Sequence, residues 1–359
     1  MRSTGPDRSS PLAILTNGLF TDLHAKTAHG IIRYGQREVV GVVDERFAGS
    51  VASDLVPYCR RPVPIVATIA EAKALGARSL LLGVAPAGGK LTPEWRRTLE
   101  EAMSVSMDVE AGLHSELGRD PELVAAAERN GVALRDLRAV PEDLELPRGR
   151  AHRRPDLRVV HTVGSDCAIG KMSAVLELDD TARRRGLRSC FVPTGQTGIA
   201  IAGWGIAVDH VVADFVAGAA ELLVDQGGSR GDLLFVEGQG ALFHPAYSGV
   251  TLGLLHGTAP DALVLAHKHG ATKTYGYEDT PIPPLGELAH AYELICAPIS
   301  KVRVAAVALN TAELADDEQA LAAIASVEDG TGLPCDDAPR FGADRLLDAV
   351  LEALPAALA

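Results

Sequence analysis

The sequence predicts an α/β protein of two domains, each built on a parallel sheet with helices on its faces. Short apolar runs alternate with segments of helix length along the whole chain, which is typical of βαβ units. The 359 residues suffice for two domains, and a charged stretch bounded by prolines interrupts the pattern at 141–155. We therefore predict an N-terminal domain over 1–140, a linker over 141–155 and a C-terminal domain over 156–359.

The first half contains five strand candidates and two helix candidates. Its strands are predicted at 12–15, 39–43, 65–67, 80–84 and 105–109, and its helices at 22–34 and 121–130. A Thr16-Asn17-Gly18 turn follows the first strand and Asp44 follows the second, as in dinucleotide-binding folds, but the GxGxxG fingerprint is absent. The pattern indicates a Rossmann-like domain and gives poor support to a nicotinamide cofactor.

The second half is more regular and predicts a doubly wound parallel sheet. Strands are expected at 158–163, 189–192, 210–212, 233–236, 262–266 and 302–309, with segments of helix length between them. No repeat of fixed period is present in the sequence, which argues against a solenoid.

Composition and charge limit the partners that we expect. The formal net charge is −13 and no basic cluster stands out, so we expect no nucleic-acid partner. No apolar run reaches the roughly 20 residues that cross a bilayer, and no signal segment follows the N-terminus, so we expect no membrane partner. The five cysteines lack CxxC spacing, which favours reduced thiols and a cytoplasmic location. A homo-oligomer is expected from the frequency of symmetric assemblies.

A glycine-bounded loop between a strand and a helix is the main chemical motif. An apolar run over 159–163 leads into GSDCAIGKMS at 164–173, and a helical pattern continues to 185. Such a loop turns its N–H groups inward at a helix N-terminus, and its lysine adds a full positive charge. The motif predicts a P-loop NTPase-like domain. Its predicted phosphate-binding residues are Gly164, Ser165, Asp166, Gly170, Lys171, Met172 and Ser173.

The loop departs from the common GxxxxGK[ST] form in two ways. Five residues separate Gly164 from Gly170, and Met172 stands where a magnesium-binding Ser or Thr normally follows the lysine. Ser173 comes one position later and is turned by about 100° on the helix. We therefore predict phosphate binding without a metal site, and whether Ser173 or Glu237 can bind magnesium stays open.

Polar residues that follow other strands extend the predicted cofactor site, because the carboxyl ends of parallel strands meet at one edge of a sheet. Thr194, Gln196 and Thr197 lie on the glycine-rich turn PTGQTG, where their short polar side chains can bind phosphate or substrate. Asn310 ends the last long strand, and its amide is suited to recognise an adenine edge.

Three residues are candidate catalytic bases. Glu237 ends the apolar strand of LLFVEGQG, in the manner of a Walker B acid, and can bind magnesium or act as a general base. Asp214 follows the strand expected at 210–212, where its carboxylate can pair with a substrate amine. His244 lies shortly after Glu237 and is placed to face the same crevice.

Several motifs together resemble a known family. They are GSDCAIGKMS, PTGQTGIAIAGWGIAVD, VEGQGALFHPAYSGVTLGLLHG and ALNT, with KTAHGIIRYG and GVAPAGGKL in the first half. They resemble a two-domain bacterial family first catalogued as a domain of unknown function, whose members are described as N-acetyltransferases of D-glutamate and related D-amino acids. The second half is also similar to the dethiobiotin synthetase group of P-loop proteins, from which Met172 departs.

The resemblance implies an acetyl-CoA-dependent N-acetyltransferase whose partner is a small-molecule amino-acid substrate, such as D-glutamate. Lys171 and the loop amides would then anchor the phosphates of CoA. A base would deprotonate the substrate ammonium, for which Glu237, Asp214 and His244 are the candidates. The substrate carboxylate needs a cation, and the candidates are Lys26, Arg33, Lys90 and Lys268.

Two other functions stay open from the sequence. An ATP- and magnesium-dependent ligase or kinase of the dethiobiotin synthetase type would use Lys171, Ser173 and Glu237, and would release ADP. A nucleotide-gated partner-binding protein would bind nucleotide tightly without turning over a small molecule. Covalent catalysis by Cys167 is not expected, because a thiolate inside the loop would compete with bound phosphate.

Overall fold

The computed structural model describes residues 9–84, 89, 91–151, 154 and 156–355, and the chain divides into two compact units. The first unit combines residues 1–140 with 195–210, and the second combines 141–194 with 211–359. Residues 195–210 therefore belong to the first unit, although they lie inside the range that we predicted for the C-terminal domain. The charged stretch 141–155 belongs to the second unit.

Six parallel strands build the sheet of the first unit. They are β1 (Leu12–Leu15), β2 (Val39–Val43), β3 (Ile65–Val66), β4 (Ser79–Leu82), β5 (Asp108–Ala111) and β6 (Leu134–Asp136). Their order is β3-β2-β1-β4-β5-β6, which is the Rossmann order with its reversal between β1 and β4. The helices of this unit are α1 (Lys26–Tyr34), α2 (Ala52–Leu55), α3 (Ile69–Ala74), α4 (Pro93–Ser104), α5 (Pro121–Asn130) and α7 (Gln196–Ala202).

Local sequence accounts for these elements. All four side chains of β1 are buried, because helices cover both faces of a parallel sheet. Helix α5 begins after Asp120, whose carboxylate accepts hydrogen bonds from the N–H groups of Glu122 and Leu123, with Pro121 in the first helical position. The helix ends at Gly131, whose φ of +65° lies in the left-handed region.

Six parallel strands also build the main sheet of the second unit. They are β7 (Arg158–Gly164), β8 (Ser189–Val192), β9 (Leu233–Val236), β10 (Ala262–Lys268), β13 (Val304–Asn310) and β14 (Cys335–Asp336). Their order is β14-β13-β10-β7-β9-β8. A separate antiparallel hairpin consists of β11 (Lys273–Thr274) and β12 (Tyr277–Pro281).

Seven described helices belong to the second unit. They are α6 (Lys171–Arg184), α8 (Val216–Gly228), α9 (Ser248–Thr258), α10 (Leu285–Cys296), α11 (Asp317–Thr331), α12 (Ala338–Phe341) and α13 (Asp344–Ala353). Leu288 and Tyr292 of α10 pack with Val163 of β7 and Leu265 of β10 in one buried cluster. Strand β7 lies between β10 and β9, where the strand order reverses, so the loop after it opens at a switch point. The predicted α/β class, with a Rossmann-like first domain and a P-loop second domain, is confirmed.

Two predicted strands need correction. The strand expected at 210–212 is wrong: 208–210 and 213–215 form short 3-10 helices, and Val212 between them is 69% exposed. Two adjacent valines are too short an apolar run to specify a strand without a neighbour to pair with. The strand expected at 105–109 lies at 108–111, because α4 extends to Ser104 and Val105 closes its last turn.

Short strands with polar sequences were not predicted. They are the edge strands β6 and β14 and the hairpin of β11 and β12. Within the described residues, no helix combines the length and apolar character needed to cross a bilayer.

Candidate active site

The loop 164–170 joins β7 to α6 at the switch point of the second sheet, and glycines stand at both of its ends. A Cβ atom at Gly164 would lie 2.8 Å from Cδ1 of Ile169 and 3.0 Å from Nζ of Lys171. Gly170 has a φ of +111°, which side chains of L-residues rarely adopt. The loop therefore turns tightly into the N-terminus of a 14-residue helix, where the helix dipole favours an anion.

Side-chain donors hold three carbonyl groups of the loop. The pairs are the Tyr292 hydroxyl with the Gly164 carbonyl at 2.7 Å, Lys171 Nζ with the Asp166 carbonyl at 2.6 Å, and Asn310 Nδ2 with the Ile169 carbonyl at 3.2 Å. These three donors fix the course of the loop backbone ahead of the N-terminus of α6.

Lys171 supplies the positive charge of the site. It is the first residue of α6, it is buried, and its ammonium group turns back over the loop. His161 lies in β7, its Nδ1 is 3.0 Å from the hydroxyl oxygen of Thr258, and the ring is completely buried. Burial, with the charge of Lys171 second, lowers the pKa of His161 from 6.5 to about 3. The strand that leads into the loop therefore carries a neutral imidazole near the lysine charge.

The second and third loop residues are bound by neighbouring segments. Ser165 Oγ lies 2.8 Å from Nδ1 of His267 in β10, and burial lowers the pKa of His267 from 6.5 to about 4. The Asp166 carboxylate accepts hydrogen bonds from the N–H groups of Cys167 at 2.6 Å and Tyr275 at 2.7 Å. Tyr275 belongs to the turn between β11 and β12, so the hairpin is attached to the loop through Asp166.

Thr194 and Glu237 connect the ends of β8 and β9. The Glu237 carboxylate accepts a hydrogen bond from the backbone N–H of Thr194 at 3.0 Å, and its carbonyl accepts from the Thr194 hydroxyl at 2.7 Å. Gln239 donates from Nε2 to the same Thr194 hydroxyl at 3.1 Å. Both Thr194 and Glu237 are buried. The acid at the end of β9 is therefore held in a fixed orientation by the end of β8.

Gly238 brings this acidic segment against the lysine. Its N–H donates to the Thr162 hydroxyl at 2.9 Å. A Cβ atom at Gly238 would lie 1.8 Å from the Thr162 carbonyl oxygen and 3.2 Å from Cδ of Lys171. Only glycine fits at this approach, which places the residue after Glu237 beside the stem of Lys171.

His244 reaches the loop from the segment between β9 and α9. Its ring is 2% exposed, and Nδ1 accepts a hydrogen bond from the backbone N–H of Ala246 at 3.1 Å. Nε2 lies 3.9 Å from Oδ1 of Asp166. The rings of Tyr247 and Tyr277 pack against the imidazole, with centroids 4.6 Å and 5.3 Å away. The imidazole of His244 therefore lies beside Asp166 of the loop.

The second unit brings most of the predicted residues together. The loop residues, Lys171, Thr194, Glu237 and His244 are linked by the contacts above, and Asn310 contacts the loop through the Ile169 carbonyl. Met172 and Ser173 lie half-buried in the first turn of α6.

Three predicted residues take no part in the contacts described above. Asp214 does not follow a strand: it is exposed on the 3-10 helix Ala213–Phe215. Gln196 and Thr197 belong to α7 of the first unit, where the hydroxyl oxygen of Thr197 lies 2.7 Å from that of Thr27. The roles that we predicted for these side chains stay predictions.

The candidate cations for a substrate carboxylate differ in their surroundings. Lys268 pairs with Glu313 at 2.6 Å, while the Arg33 guanidinium lies over the rings of Tyr34 and Tyr58. Lys26 is exposed in the first turn of α1. Lys90 lies outside the described residues.

Sequence reasoning missed Tyr292 and Thr162. Tyr292 is fully buried in α10; its hydroxyl accepts from the N–H of Leu242 at 2.9 Å and donates to the Gly164 carbonyl. The available signal was a lone tyrosine on the apolar face of a helix, since a buried phenol needs a hydrogen-bond partner. Thr162 in the middle of β7 gave no such signal, because threonine is common in strands.

The fold and the loop together define a protein with a Rossmann-like domain and a P-loop domain. Two family models match the chain: the P-loop domain of DUF1611, a domain of unknown function, over residues 147–347, and the DUF1611 Rossmann-like N-terminal domain over residues 45–140. The chain belongs to the DUF1611 family.

Relatives extend this assignment over most of the chain. A protein of Tritonibacter scottomollicae named D-glutamate N-acetyltransferase is 40% identical over 314 residues, which is 87% of this chain and 92% of the relative. A Pseudoalteromonas protein of the same name is 36% identical over 283 residues, 78% of this chain and 83% of the relative. The crystal structure of a DUF1611 family protein from Anabaena variabilis is similar, with a TM-score of 0.91 and 40% identity, covering 96% of this chain and all of that one.

Proposed function

We propose that the protein is an N-acetyltransferase that transfers the acetyl group of acetyl-CoA to the amino group of an acidic amino acid such as D-glutamate. The observation that carries this proposal is that two relatives with that name align with 87% and 78% of the chain. At 40% and 36% identity over such lengths, a shared reaction class is the simplest expectation.

The P-loop residues fit the phosphate groups of CoA. CoA carries a pyrophosphate and a 3′-phosphate, which the loop amides, the α6 N-terminus and the Lys171 ammonium are suited to bind. Met172 offers no hydroxyl at the position after the lysine, so the site is better suited to hold phosphate than to organise magnesium for its cleavage. Acetyl-CoA supplies the activated acyl group.

Glu237 is the base that this arrangement favours. The α-ammonium group of a free amino acid is protonated at neutral pH, so it must lose a proton before its nitrogen can attack. Glu237 is buried after the end of β9, and its carboxylate is held by the Thr194 N–H at 3.0 Å. Asp214 is exposed on a short 3-10 helix and is the weaker candidate. General-base assistance typically contributes about 10²–10⁴-fold to a rate.

Thiol release tests the function directly. The purified chain is incubated with acetyl-CoA and D-glutamate, and free CoA thiol and N-acetylglutamate are measured, with L-glutamate and D-alanine as alternative substrates. We expect D-glutamate to give the largest rate, and Glu237→Gln to reduce it by about 10²-fold or more. No thiol release with any amino acid would refute the proposal.

Ligand binding separates the transferase from the ligase. CoA at 100 times its Kd should stabilise the protein by about 2.7 kcal/mol, whereas ATP with magnesium should give little change. Stabilisation by ATP–magnesium but not by CoA, with ADP release that requires magnesium and an amino acid, would favour the ligase instead.

A further inference from the structure

Exposed aromatic side chains are concentrated beside the P-loop. Aromatic residues make up only 4% of the chain. Among the described residues, the large aromatic side chains that are exposed number five, and four of them lie in two short segments, before α9 and in the hairpin of β11 and β12. Such clusters are uncommon on globular proteins and mark binding surfaces. The four are Phe243, Tyr247, Tyr275 and Tyr277.

Three of these residues, Tyr247, Tyr275 and Tyr277, contact the loop or its neighbour His244, and we call them the tyrosine cluster. The rings of Tyr247 and Tyr277 pack against the imidazole of His244, whose Nε2 lies 3.9 Å from Oδ1 of Asp166. The N–H of Tyr275 donates to Oδ2 of the same carboxylate at 2.7 Å. The cluster therefore lies at the third residue of the P-loop.

Tyr275 combines a fixed backbone with an exposed ring. It lies in the turn between β11 and β12, where Gly276 has a φ of +77° and Thr274 pairs with Tyr277. Its N–H is bonded to Asp166, while the residue is 74% exposed. A tyrosine ring turns about only two bonds, so little conformational freedom is lost when a ligand covers it. The turn thus presents a flat aromatic face at the loop.

His244 gives a second, independent indication of a ligand at this place. The backbone N–H of Ala246 donates to Nδ1, so the neutral ring has its proton on Nε2. Among the residues that the structure describes, Nε2 is buried without a hydrogen-bond partner. Buried polar groups are nearly always paired, and the phosphate and ribose oxygens of a nucleotide are suitable acceptors for this N–H.

The chemistry of CoA places a flat group next to its phosphates. The 5′-pyrophosphate and the 3′-phosphate are attached to the same ribose, which also carries adenine. Whichever of the two groups the loop holds, the base therefore lies one sugar away, whereas the pantetheine arm leaves from the far end of the pyrophosphate. Exposed aromatic rings stack on nucleobases, because every base has a flat π-face.

The amide of Asn310, which we considered for the adenine edge, is already used by the chain. Its Nδ2 donates to the Ile169 carbonyl at 3.2 Å, and its Oδ1 accepts from the N–H of Ala312 at 3.1 Å. Asn310 thus has less capacity left for the base than its position after a strand indicates.

We propose that the tyrosine cluster binds the adenine base of the nucleotide whose phosphates lie in the P-loop, with the ring of Tyr275 stacked on the base. With CoA as that nucleotide, the assignment rests on the proposed acetyl transfer and names the place of the adenosine. ATP carries the same base, and the experiment separates the two sources.

Calorimetric titrations of the wild type, Tyr275→Ala and Tyr275→Trp test the assignment. The ligands are CoA, adenosine 3′,5′-bisphosphate, ATP with magnesium, and pyrophosphate, which has no base. We expect Tyr275→Ala to weaken CoA and the bisphosphate by about 5–100-fold, which is the usual effect of removing one stacked ring. Tyr275→Trp keeps a ring and should stay within about threefold of the wild type. Pyrophosphate should bind equally to all three proteins.

The controls separate stacking from folding and assembly. Leu321→Ala removes an exposed apolar side chain of α11 outside the cluster and should leave every Kd unchanged. Tyr247→Ala removes a second member of the cluster and should weaken CoA, but not pyrophosphate. Melting curves identify any variant that fails to fold, and sedimentation compares the oligomeric states of the wild type and Tyr275→Ala.

Three results would overturn the assignment. They are an equal bisphosphate Kd in the wild type and Tyr275→Ala, an equal loss of CoA and pyrophosphate binding, and failure of the wild type to bind any adenine compound. An altered oligomeric state with unchanged Kd values would assign the cluster to a contact between copies of the chain.

The binding data also distinguish this assignment from the proposed function. If Tyr275→Ala weakens the bisphosphate but the wild type releases no thiol from acetyl-CoA, the adenine site stands and the transferase proposal fails. The same loss measured with ATP–magnesium, without CoA binding, would identify ATP as the source of the base. Thiol release with equal bisphosphate Kd values would overturn the adenine site alone.

Discussion

The two sheets carry a loop at the same topological position, and the loops differ in which of their backbone groups the protein itself occupies. In the first unit the turn after β1 closes on Asp44: Oδ2 of that carboxylate accepts from the Thr16 hydroxyl at 2.7 Å, the Gly18 N–H at 2.9 Å and the Phe20 N–H at 3.2 Å. In the second unit the loop after β7 has its carbonyls held by Tyr292, Lys171 and Asn310.

The two loops also differ in the charged groups that contact them. A buried carboxylate already fills the turn of the first unit, so its N–H groups are used and its charge repels phosphate. The acid after β2 is the residue that would bind a ribose in a dinucleotide-binding domain, and here it serves the turn instead. In the second unit Lys171 begins the helix after the loop and adds a positive charge, while the N–H groups of Ser165 and Cys167 donate to the Ala266 carbonyl and the Asp166 carboxylate.

Substitution of Gly238, which follows β9 and lies close to Thr162, gives the largest expected effect on stability. Gly238→Ala should destabilise the protein by about 3 kcal/mol, because its Cβ would lie 1.8 Å from the fixed carbonyl oxygen of Thr162. Gly83 follows β4 of the first sheet, where an added Cβ would meet side-chain carbons, Cγ2 of Ile14 at 2.3 Å and Cβ of Ala28 at 3.0 Å, and the nearest backbone atom would be 3.4 Å away. Gly83→Ala should therefore cost less in a denaturant titration.

Gly249→Ala is the matched control for this pair. Nothing lies within 4 Å of the Cβ position at Gly249, in the first turn of α9. The denaturant midpoint of Gly249→Ala should therefore stay at the wild-type value or rise. If Gly83→Ala lowered the midpoint more than Gly238→Ala, the idea that the second loop is the more tightly constrained of the two would fail.

Removing the charge of Lys171 should weaken the binding of CoA phosphates at the second loop. Lys171→Met should weaken CoA binding by about 10–100-fold, which corresponds to the roughly 1.5–3 kcal/mol of a hydrogen bond to a charged group. Calorimetric titration with CoA measures this. Lys301→Met, at an exposed lysine, removes the same charge and should leave the Kd unchanged. Equal Kd values for wild type and Lys171→Met would mean that the loop does not bind the phosphates.

Removing the charge of Asp44 should weaken the first unit without affecting CoA. Asp44→Asn keeps an acceptor for the three donors but loses the charge that strengthens them, and we expect a loss of about 1 kcal/mol in stability. Thermal unfolding measures it, with Glu38→Gln as an exposed control for the lost charge. A change in the CoA Kd of Asp44→Asn would show that the two loops are not separate in function.

Much of this contrast was open to prediction from sequence, and some of it was not. The strands β1, β2, β8 and β9 match their predicted bounds, because a buried parallel strand needs a continuous apolar run. The loop and Lys171 were found because their spacing follows from phosphate geometry. The exposed Asp214 was misplaced because the valines before it imitate a strand.

The sequence could not show which backbone groups of each loop are hydrogen-bonded within the protein. That pattern depends on contacts between residues far apart in the chain, such as Tyr292 with Gly164 and Asp44 with Gly18. No local spacing reports such contacts. The edge strands β6 and β14 were not predicted for a related reason. They have three and two residues, which is too short a segment to show a period of alternation.

Acidification should lower the stability of the second unit. Burial lowers the pKa of His161 to about 3, whereas the unfolded chain takes up this proton near pH 6.5. Below that pH the unfolded state binds more protons, so stability should fall as the pH decreases from about 6.5 toward 3. The melting temperature should drop between pH 7 and 5, and less steeply in His161→Gln. Parallel slopes for the two proteins would contradict this reading.

The return of residues 195–210 to the first unit has a consequence during synthesis. The first unit cannot be complete when residue 140 leaves the ribosome, since α7 and the Arg138–Asp209 ion pair require chain up to residue 210. At roughly 5–20 residues per second, translation needs about 4–14 s to supply that segment. During this interval Thr27 and the face of α1 that later packs on α7 are without their partner. The order of translation therefore makes the completion of the N-terminal fold wait for the P-loop strand and helix to be made.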